Sequence, residues 1–197
     1  MKLSIKEHAS SSYPPRTKEN AALSDLTVAF AFDFTTAGEK LTRKAAAGKY
    51  MGFSFDEPVT EVAVQIREKL ARRSLKKPIL NIAGNGIYTC IKKGWVQDAV
   101  NTHVFRVVSL VHRRYPLSKI ISGGQTGVDL AGIVAAVALG IDASILMPKG
   151  FKQRDAFDQD MYLDKDMIRS EIKAGIVNLR RTTTYAYYMR KNSGTQS

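Results

Sequence analysis

Apolar residues along this chain follow two rhythms. Leu26–Phe32, Lys77–Ala83, Ile120–Ser122 and Ala143–Met147 are short runs carrying β-formers and bounded by turn residues, as strands are. Between them apolar positions recur at helical spacing. Val59, Val62, Ile66 and Leu70 form one stripe after Asp56-Glu57-Pro58. Val96, Val100, Val104, Val107 and Val111 form another, in a helix from about Trp95 to Arg114 that Pro116 closes. Leu130 to Leu139 is apolar nearly all the way round, which suits a helix enclosed on every side. Thr35 or Thr36 can cap a short basic helix running through Ala47, with Glu39 in its first turn and Gly48 placed to stop it. A last helix is expected from about Lys165 to Ala174, capped by Asp164 and stopped by Gly175.

Strands alternating with amphipathic helices predict an α/β class: a Rossmann-like three-layer fold, its sheet mainly parallel and its helices on both faces. Residues 1–24 are polar and mixed, with Ser10-Ser11-Ser12 and Pro14-Pro15, and read as an arm without a regular core face. Residues 25–179 then form a single domain, in which 25–75 is an N-terminal extension and 76–179 the motif-bearing core. Residues 180–197 form a basic, aromatic tail.

Composition narrows the function classes. No apolar run approaches the roughly 20 residues of a membrane span. The first eight residues lack the apolar stretch of a signal peptide, so a cytoplasmic location is expected. One cysteine, Cys90, excludes an intramolecular disulfide, and three scattered histidines give no zinc spacing; the sequence requires no metal and names no cofactor. His103 falls beside the apolar stripe, where packing or surface suits it better than ligation. The formal net charge of +12 favours anionic partners such as phosphates. Most basic pairs fall at predicted helix ends, where cations suit the dipole. Asp155, Asp158, Asp160, Asp164 and Asp166 match no cation-loop spacing and read as a solvated, charge-balancing loop. The tail interleaves arginine and tyrosine, a pattern that serves stacking on single-stranded nucleic acid or, as readily, an edge or oligomer contact.

The chain is organised around Ser122-Gly123-Gly124-Gln125-Thr126-Gly127-Val128-Asp129, a strand running into a glycine turn and a helix N-terminus. Such a junction presents free N–H groups and the positive end of a helix dipole to an anion. Gly84-Asn85-Gly86 and Pro148-Lys149-Gly150 follow two other strands, and ligands of open α/β sheets bind outside the carboxyl ends of the strands. All three loops are therefore expected to converge on one pocket. Gly123, Gly124 and the N–H groups of Gln125, Thr126 and Gly127 would hold phosphate, aided by the Thr126 hydroxyl. Asp129 would accept from a ribose hydroxyl or orient water, or else serve as a first-turn acid for the dipole. Asn85 could read a base or sugar edge or simply make the turn, and Lys149 could neutralise phosphate or stay solvated. Tyr88 and Phe151 could stack on a base or pack in the core.

These residues, with the Ala/Leu-rich helix ending Leu139-Gly140-Ile141 and the downstream Pro148-Lys149-Gly150, resemble the putative molybdenum carrier proteins of the wider SLOG group. That group takes its name from the DNA-processing A proteins and the LOG phosphoribohydrolases. The resemblance covers about residues 78 to 155. It implies a Rossmann-like domain binding a nucleotide or nucleotide-derived ligand, often in homo-oligomers. Nothing in the sequence supplies soft ligands for molybdenum. Leu130 stands where the carriers usually have Arg and where LOG enzymes have a Glu that serves hydrolysis; Ser122 replaces the LOG motif's proline. The family's C-terminal strand is not recognisable, with Ile176–Leu179 as a candidate remnant, and Leu26–Phe32 could supply the missing strand at the other edge of the sheet. The leading expectation is a protein that binds a nucleotide-like phosphorylated small molecule. The alternatives are an N-glycosidic hydrolase using Asp129 as catalytic residue, and a single-stranded DNA-binding or -processing protein using the basic tail.

Overall fold

The computed structural model describes residues 1–182 together with Tyr185, Tyr187 and Met189. Six parallel strands form the central sheet: β1 (Leu3–Glu7), β2 (Leu26–Ala31), β3 (Tyr50–Ser54), β4 (Ile79–Gly84), β5 (Lys119–Ser122) and β6 (Asp142–Met147), in the order β1-β6-β5-β4-β2-β3. All five pairings are parallel. Helices cover both faces, which makes the fold α/β and Rossmann-like, in three layers.

Right-handed crossovers decide which helix lies on which face. α3 (Val59–Arg72), α5 (Gln97–Arg114), α6 (Val128–Ala138) and α7 (Lys165–Arg180) pack side by side on one face. α1 (Tyr13–Ala22) and α2 (Ala37–Ala46) pack on each other on the opposite face. A short helix, α4 (Ile87–Ile91), follows β4, and a two-stranded antiparallel hairpin, β7 (Lys152–Arg154) and β8 (Asp160–Tyr162), follows β6. α6 is the hub of the larger helical layer. Every residue from Val128 to Ala136 is buried, because β4, β5 and β6 lie beneath the helix and α5 and α7 flank it.

Three features of the N-terminal region depart from expectation. The arm predicted over residues 1–24 is a strand and a helix. Alternation in Leu3-Ser4-Ile5 is too short to register as a strand alone, but all of β1 pairs with β6, from Leu3–Ala143 to Glu7–Met147. β2 is interior, between β4 and β3, and is not the edge strand expected of Leu26–Phe32; all six of its residues are buried. The edge beyond it is β3, whose Tyr50-Met51-Gly52-Phe53-Ser54 carries too little apolar pattern to be recognised.

The C-terminal helix corrects two more expectations. α7 continues through Gly175 to Arg180, because Ile168, Ile172, Gly175 and Leu179 form one buried line. Gly175 is there for close approach: a Cβ on it would lie 2.8 Å from Val134 Cγ2. Ile176–Leu179 is thus helical, and β1 from the N-terminus takes the sheet position beside β6. Val96, expected in the buried stripe of α5, is 62% exposed because it is the N-cap; Val100, Val104, Val107 and Val111 are buried as expected.

Gly132 gives a direct test of the α6–sheet contact, since a Cβ there would lie 2.6 Å from Ile82 Cβ. Gly132→Ala should therefore destabilise by about 1–3 kcal/mol, although alanine is the better helix former. Urea denaturation would check it, and a stabilised variant would refute the packing.

Candidate functional site

The strand order reverses between β2 and β4: from β2 the chain moves outward to β3, then returns to build β4, β5 and β6 on the other side. In an open α/β sheet that reversal leaves a crevice at the carboxyl ends of the two strands. A cavity of about 640 Å³ lies there. Its walls are the buried side of α1, the first turns of α2, the β4–α4 connection, the glycine turn after β5 and the β7–β8 hairpin. The volume suits a small organic ligand.

The glycine turn is one wall, and most of its hydrogen-bonding groups serve the protein. The Gln97 side chain clamps the Gly127 peptide, accepting from its N–H at 2.6 Å and donating to its carbonyl at 2.9 Å. Gln125 behaves as a strand partner to β7, donating to Lys152 O at 2.8 Å and accepting from Arg154 N at 2.9 Å. The Thr126 hydroxyl donates to Arg154 O at 2.5 Å, so it is engaged on the hairpin. Val128 N donates to Asn85 O, which joins the β5 turn to the β4 turn. Gly127 has φ +88°, and a Cβ would come within 2.5 Å of Asn85 O, so no other residue closes this junction without strain.

Asp129 is the anion nearest the turn. It is 7% exposed, and its carboxylate is 3.2 Å from Arg16 Nη1. Its pKa is raised, because burial outweighs the opposing pull of Arg16 and of the N–H groups of Gln125 and Gly123. Gly123 makes room for the pair. A Cβ on it would sit 1.3 Å from Arg16 Nη1 and 2.4 Å from Asp129 Oδ2. Two of the N–H groups expected to meet a phosphate, those of Gly123 and Gln125, thus already face a carboxylate of the chain itself, and the Gly127 N–H is taken by Gln97.

Asn85 is likewise engaged. Its Oδ1 accepts from Phe32 N and Asp33 N at 2.8 and 3.1 Å, and its Nδ2 donates to Asp33 O, so its amide ties the β4 turn to the β2–α2 loop. Gly84, Asn85, Gly86, Gly123, Gln125, Thr126 and Asp129 all line the cavity; Gly124 and Gly127 shape the turn behind it. Pro148, Lys149 and Gly150 do not line it. Lys149 N donates to Ser10 O and Gly150 N to Glu7, so this loop is stitched to the β1–α1 connection instead. Tyr88 lines the cavity and carries Lys92 Nζ 4.0 Å over its ring, whereas Phe151 packs against the core.

The acidic run is consumed by pairing and capping. Asp158 and Asp160 pair with Arg154, Asp160 with Lys152, and Asp166 with Arg169; Asp155 and Asp164 cap their own turns. Among the described residues no group of three or more His, Cys, Asp or Glu is arranged to hold a metal. His103 lies in a buried aromatic cluster with Phe30, Phe55 and Trp95, and burial lowers its pKa to about 4. Most of the basic tail, residues 183–184, 186, 188 and 190–197, lies outside the described residues, and Tyr185 stacks on Phe105.

The residues that the sequence reading did not assign to the site come from α1 and α2. Arg16, Asn20 and Glu39 are buried and line the cavity. Arg16 Nε, Asn20 Oδ1 and Glu39 Oε2 have no hydrogen-bond partner among the described residues. Glu39 faces the carboxylates of Asp129 and Asp33 in a buried setting, and burial first, then those charges, push its pKa up to about 8. The signal was present but ambiguous. Thr36-Ala37-Gly38-Glu39 reads as a capping box, yet Glu39 also shares the inward line of Thr42 and Ala46.

An α/β domain with a cavity of mixed polar and apolar lining at its topological switch point is thus defined. Residues 120–192 match the model of the circularly permutated YpsA SLOG family, so this segment is similar to that family. No curated protein and no solved structure matches the chain. No helix among the described residues is long and apolar enough to cross a membrane.

Two outcomes are expected from the buried charges. Arg16→Met leaves Asp129 buried without a counterion and should cost about 3–5 kcal/mol, much of it recovered in Arg16→Met/Asp129→Leu. Urea denaturation of the three proteins would show it, and a double variant no better than the single would refute it. Glu39 has a folded pKa near 8 against 4.5 unfolded, so the stability from its protonated form is fully present below pH 4.5 and lost as pH rises through 8. Glu39→Gln should therefore be more stable than the parent at pH 8, by a few kcal/mol, and about equal at pH 4. Melting curves across that range decide it.

Proposed function

We propose that the switch-point cavity binds a nucleotide or nucleotide-derived phosphorylated small molecule. The observation that carries this reading is a cavity of about 640 Å³, a size that suits a small organic ligand, lined in part by Arg16, Asn20 and Glu39. Placement at the carboxyl ends of β2 and β4 adds support, because this is where open α/β sheets hold their ligands. Thr36, Ala37 and Gly38, the N-cap and first residues of α2, face the cavity with the positive end of the helix dipole. These supply anion-favouring groups beside the glycine turn. A molybdenum cargo, suggested by resemblance alone, finds no metal-holding cluster among the described residues.

A second reading has one observation in its favour. Glu39 retains its proton near neutral pH, so it can act as the general acid of N-glycosidic hydrolysis in place of Asp129, whose carboxylate is tied to Arg16. The C1′–N bond breaks, the Glu39 proton goes to the departing nitrogen, and the water that bonds to C1′ returns a proton to Glu39.

Titration calorimetry against nucleoside monophosphates, ADP-ribose and NAD tests the binding reading. At least one should bind, and Gly123→Val, which fills the space beside Arg16, should abolish it. Silence from the whole panel would refute the assignment. Chromatography for released base tests the second reading: product should form with the parent and disappear in Glu39→Gln while ligand still binds.

A further inference from the structure

A parallel sheet has two unlike ends. The cavity lies at the carboxyl ends of the strands; the last turns of α3 and α5, and the loops that lead into β4 and β5, lie at the amino ends. There Lys69, Arg72 and Arg73 close α3, Lys76 and Lys77 follow in the α3–β4 loop, and Arg113 and Arg114 close α5. Lys69, Arg72 and Arg73 also rim a shallow depression with Gly48 and Lys49, which precede β3. Of these cations only Arg72 has a carboxylate within ion-pair distance among the described residues, Glu68 at 3.2 Å, and that pair is solvent-exposed. Lys49 Nζ donates to the carbonyls of Ala21 and Ser24 at 2.9 and 2.8 Å, which fixes the ammonium in place without neutralising it. Two acids at this end are engaged by the backbone: Asp25 accepts from the Ile79 N–H and Asp142 from the Lys2 N–H.

Helix capping does not account for this collection. A helix dipole acts on charges within its last turn, and Lys76 and Lys77 lie beyond α3 altogether. The loops are also held firmly. The Tyr115 hydroxyl donates to the carbonyls of Leu70 and Leu75, and Ser118 donates to Pro78 O through its N–H and its hydroxyl. Like charges are thus gathered on a braced frame, where their mutual repulsion favours a partner that supplies many anions.

The character of that partner follows from the rest of the face. Met1 and Leu23, large apolar side chains exposed at this end, belong to the start of β1 and the end of α1 and not to these loops, so the basic face carries no apolar row for a lipid bilayer. Tyr50 and Tyr115 are half-buried, which leaves the bases of a single strand no open ring to stack on. A duplex keeps its bases stacked and presents phosphates. From β3 through β2 and β4 to β5 is three strand spacings, about 15 Å, enough to meet phosphates on both sides of the B-form major groove, about 12 Å wide. The major groove of an RNA duplex is narrow by comparison.

We propose that the amino-end face of the sheet, centred on Arg72, Arg73, Lys76, Lys77, Arg113 and Arg114, docks on the phosphate backbone of double-stranded DNA without reading its sequence. This face is at the opposite end of the strands from the cavity, and the inference does not rest on what the cavity binds.

The test is fluorescence anisotropy on the full chain with a labelled DNA duplex of about 20 base pairs, in several sequences. Affinity should be indifferent to sequence and should fall at least about hundredfold between 50 and 200 mM salt, the loss expected of four or more phosphate contacts. Lys76→Ala/Lys77→Ala and Arg113→Ala/Arg114→Ala should each weaken binding about tenfold or more at 100 mM salt, with the melting transition retained. Arg190→Ala/Lys191→Ala, an equal loss of charge from the tail, should stay within about threefold of the parent. A single strand of the same length, an RNA duplex, and vesicles of phosphatidylcholine with phosphatidylserine should all bind more weakly than the DNA duplex. No binding to the duplex at 50 mM salt, a tail variant as weak as the other two, or tighter binding to the single strand, the RNA or the vesicles would overturn the inference.

Discussion

One buried ion pair holds the two ends of this chain's logic together. Arg16 reaches from α1 to Asp129 at the start of α6, across 113 positions of sequence, through the space where Gly123 has no side chain. Neither charge is tolerable alone at that depth, so each requires the other in place. The pair docks the N-terminal strand and helix onto the motif-bearing half and closes one side of the cavity. It also engages part of the glycine turn: the N–H groups of Gly123 and Gln125, which in an isolated strand–turn–helix would attract an external anion, are turned toward a carboxylate of the chain.

The cavity therefore contains two carboxyls in different settings, and burial raises the pKa of both. Asp129 has a guanidinium at 3.2 Å and backbone donors facing it. Glu39 has burial and like charges instead, and it keeps its proton to about pH 8. One carboxyl is held in an ion pair that joins α1 to α6; the other keeps its proton through burial and like charge. The stability that Glu39 forgoes is consistent with a site kept for binding, since a chain selected for stability alone would place an amide or an alkyl group there.

Much of the frame was legible in the sequence because burial on both sides of a parallel sheet demands near-continuous apolar runs, and β2, β4, β5 and β6 have them. α3, α5 and α6 were likewise marked by spacing. What escaped was marginal in pattern. β1 and β3 are edge strands, half-covered, so their sequences need not be apolar. Gly175 has the look of a helix stop, yet Val134 of α6 approaches so closely that only glycine fits. Glu39 was hidden by a rival explanation, since its place three residues after Thr36 is also the place of a capping glutamate.

By itself the sequence determined the α/β class, most of the inner strands and the helices between them, and the glycine turn between β5 and α6, because these depend on local periodicity and backbone preference. It also placed two of the three expected loops on the cavity. Only the tertiary structure decided that Pro148-Lys149-Gly150 serves the β1–α1 junction, that β1 fills the place beside β6, and that Arg16, Asn20 and Glu39 meet Asp129 in one cavity. The physical reason is range. A cap, a stripe or a turn is written within a few residues, whereas a counterion or an unpartnered carboxyl acquires its meaning from whatever the crossovers bring against it.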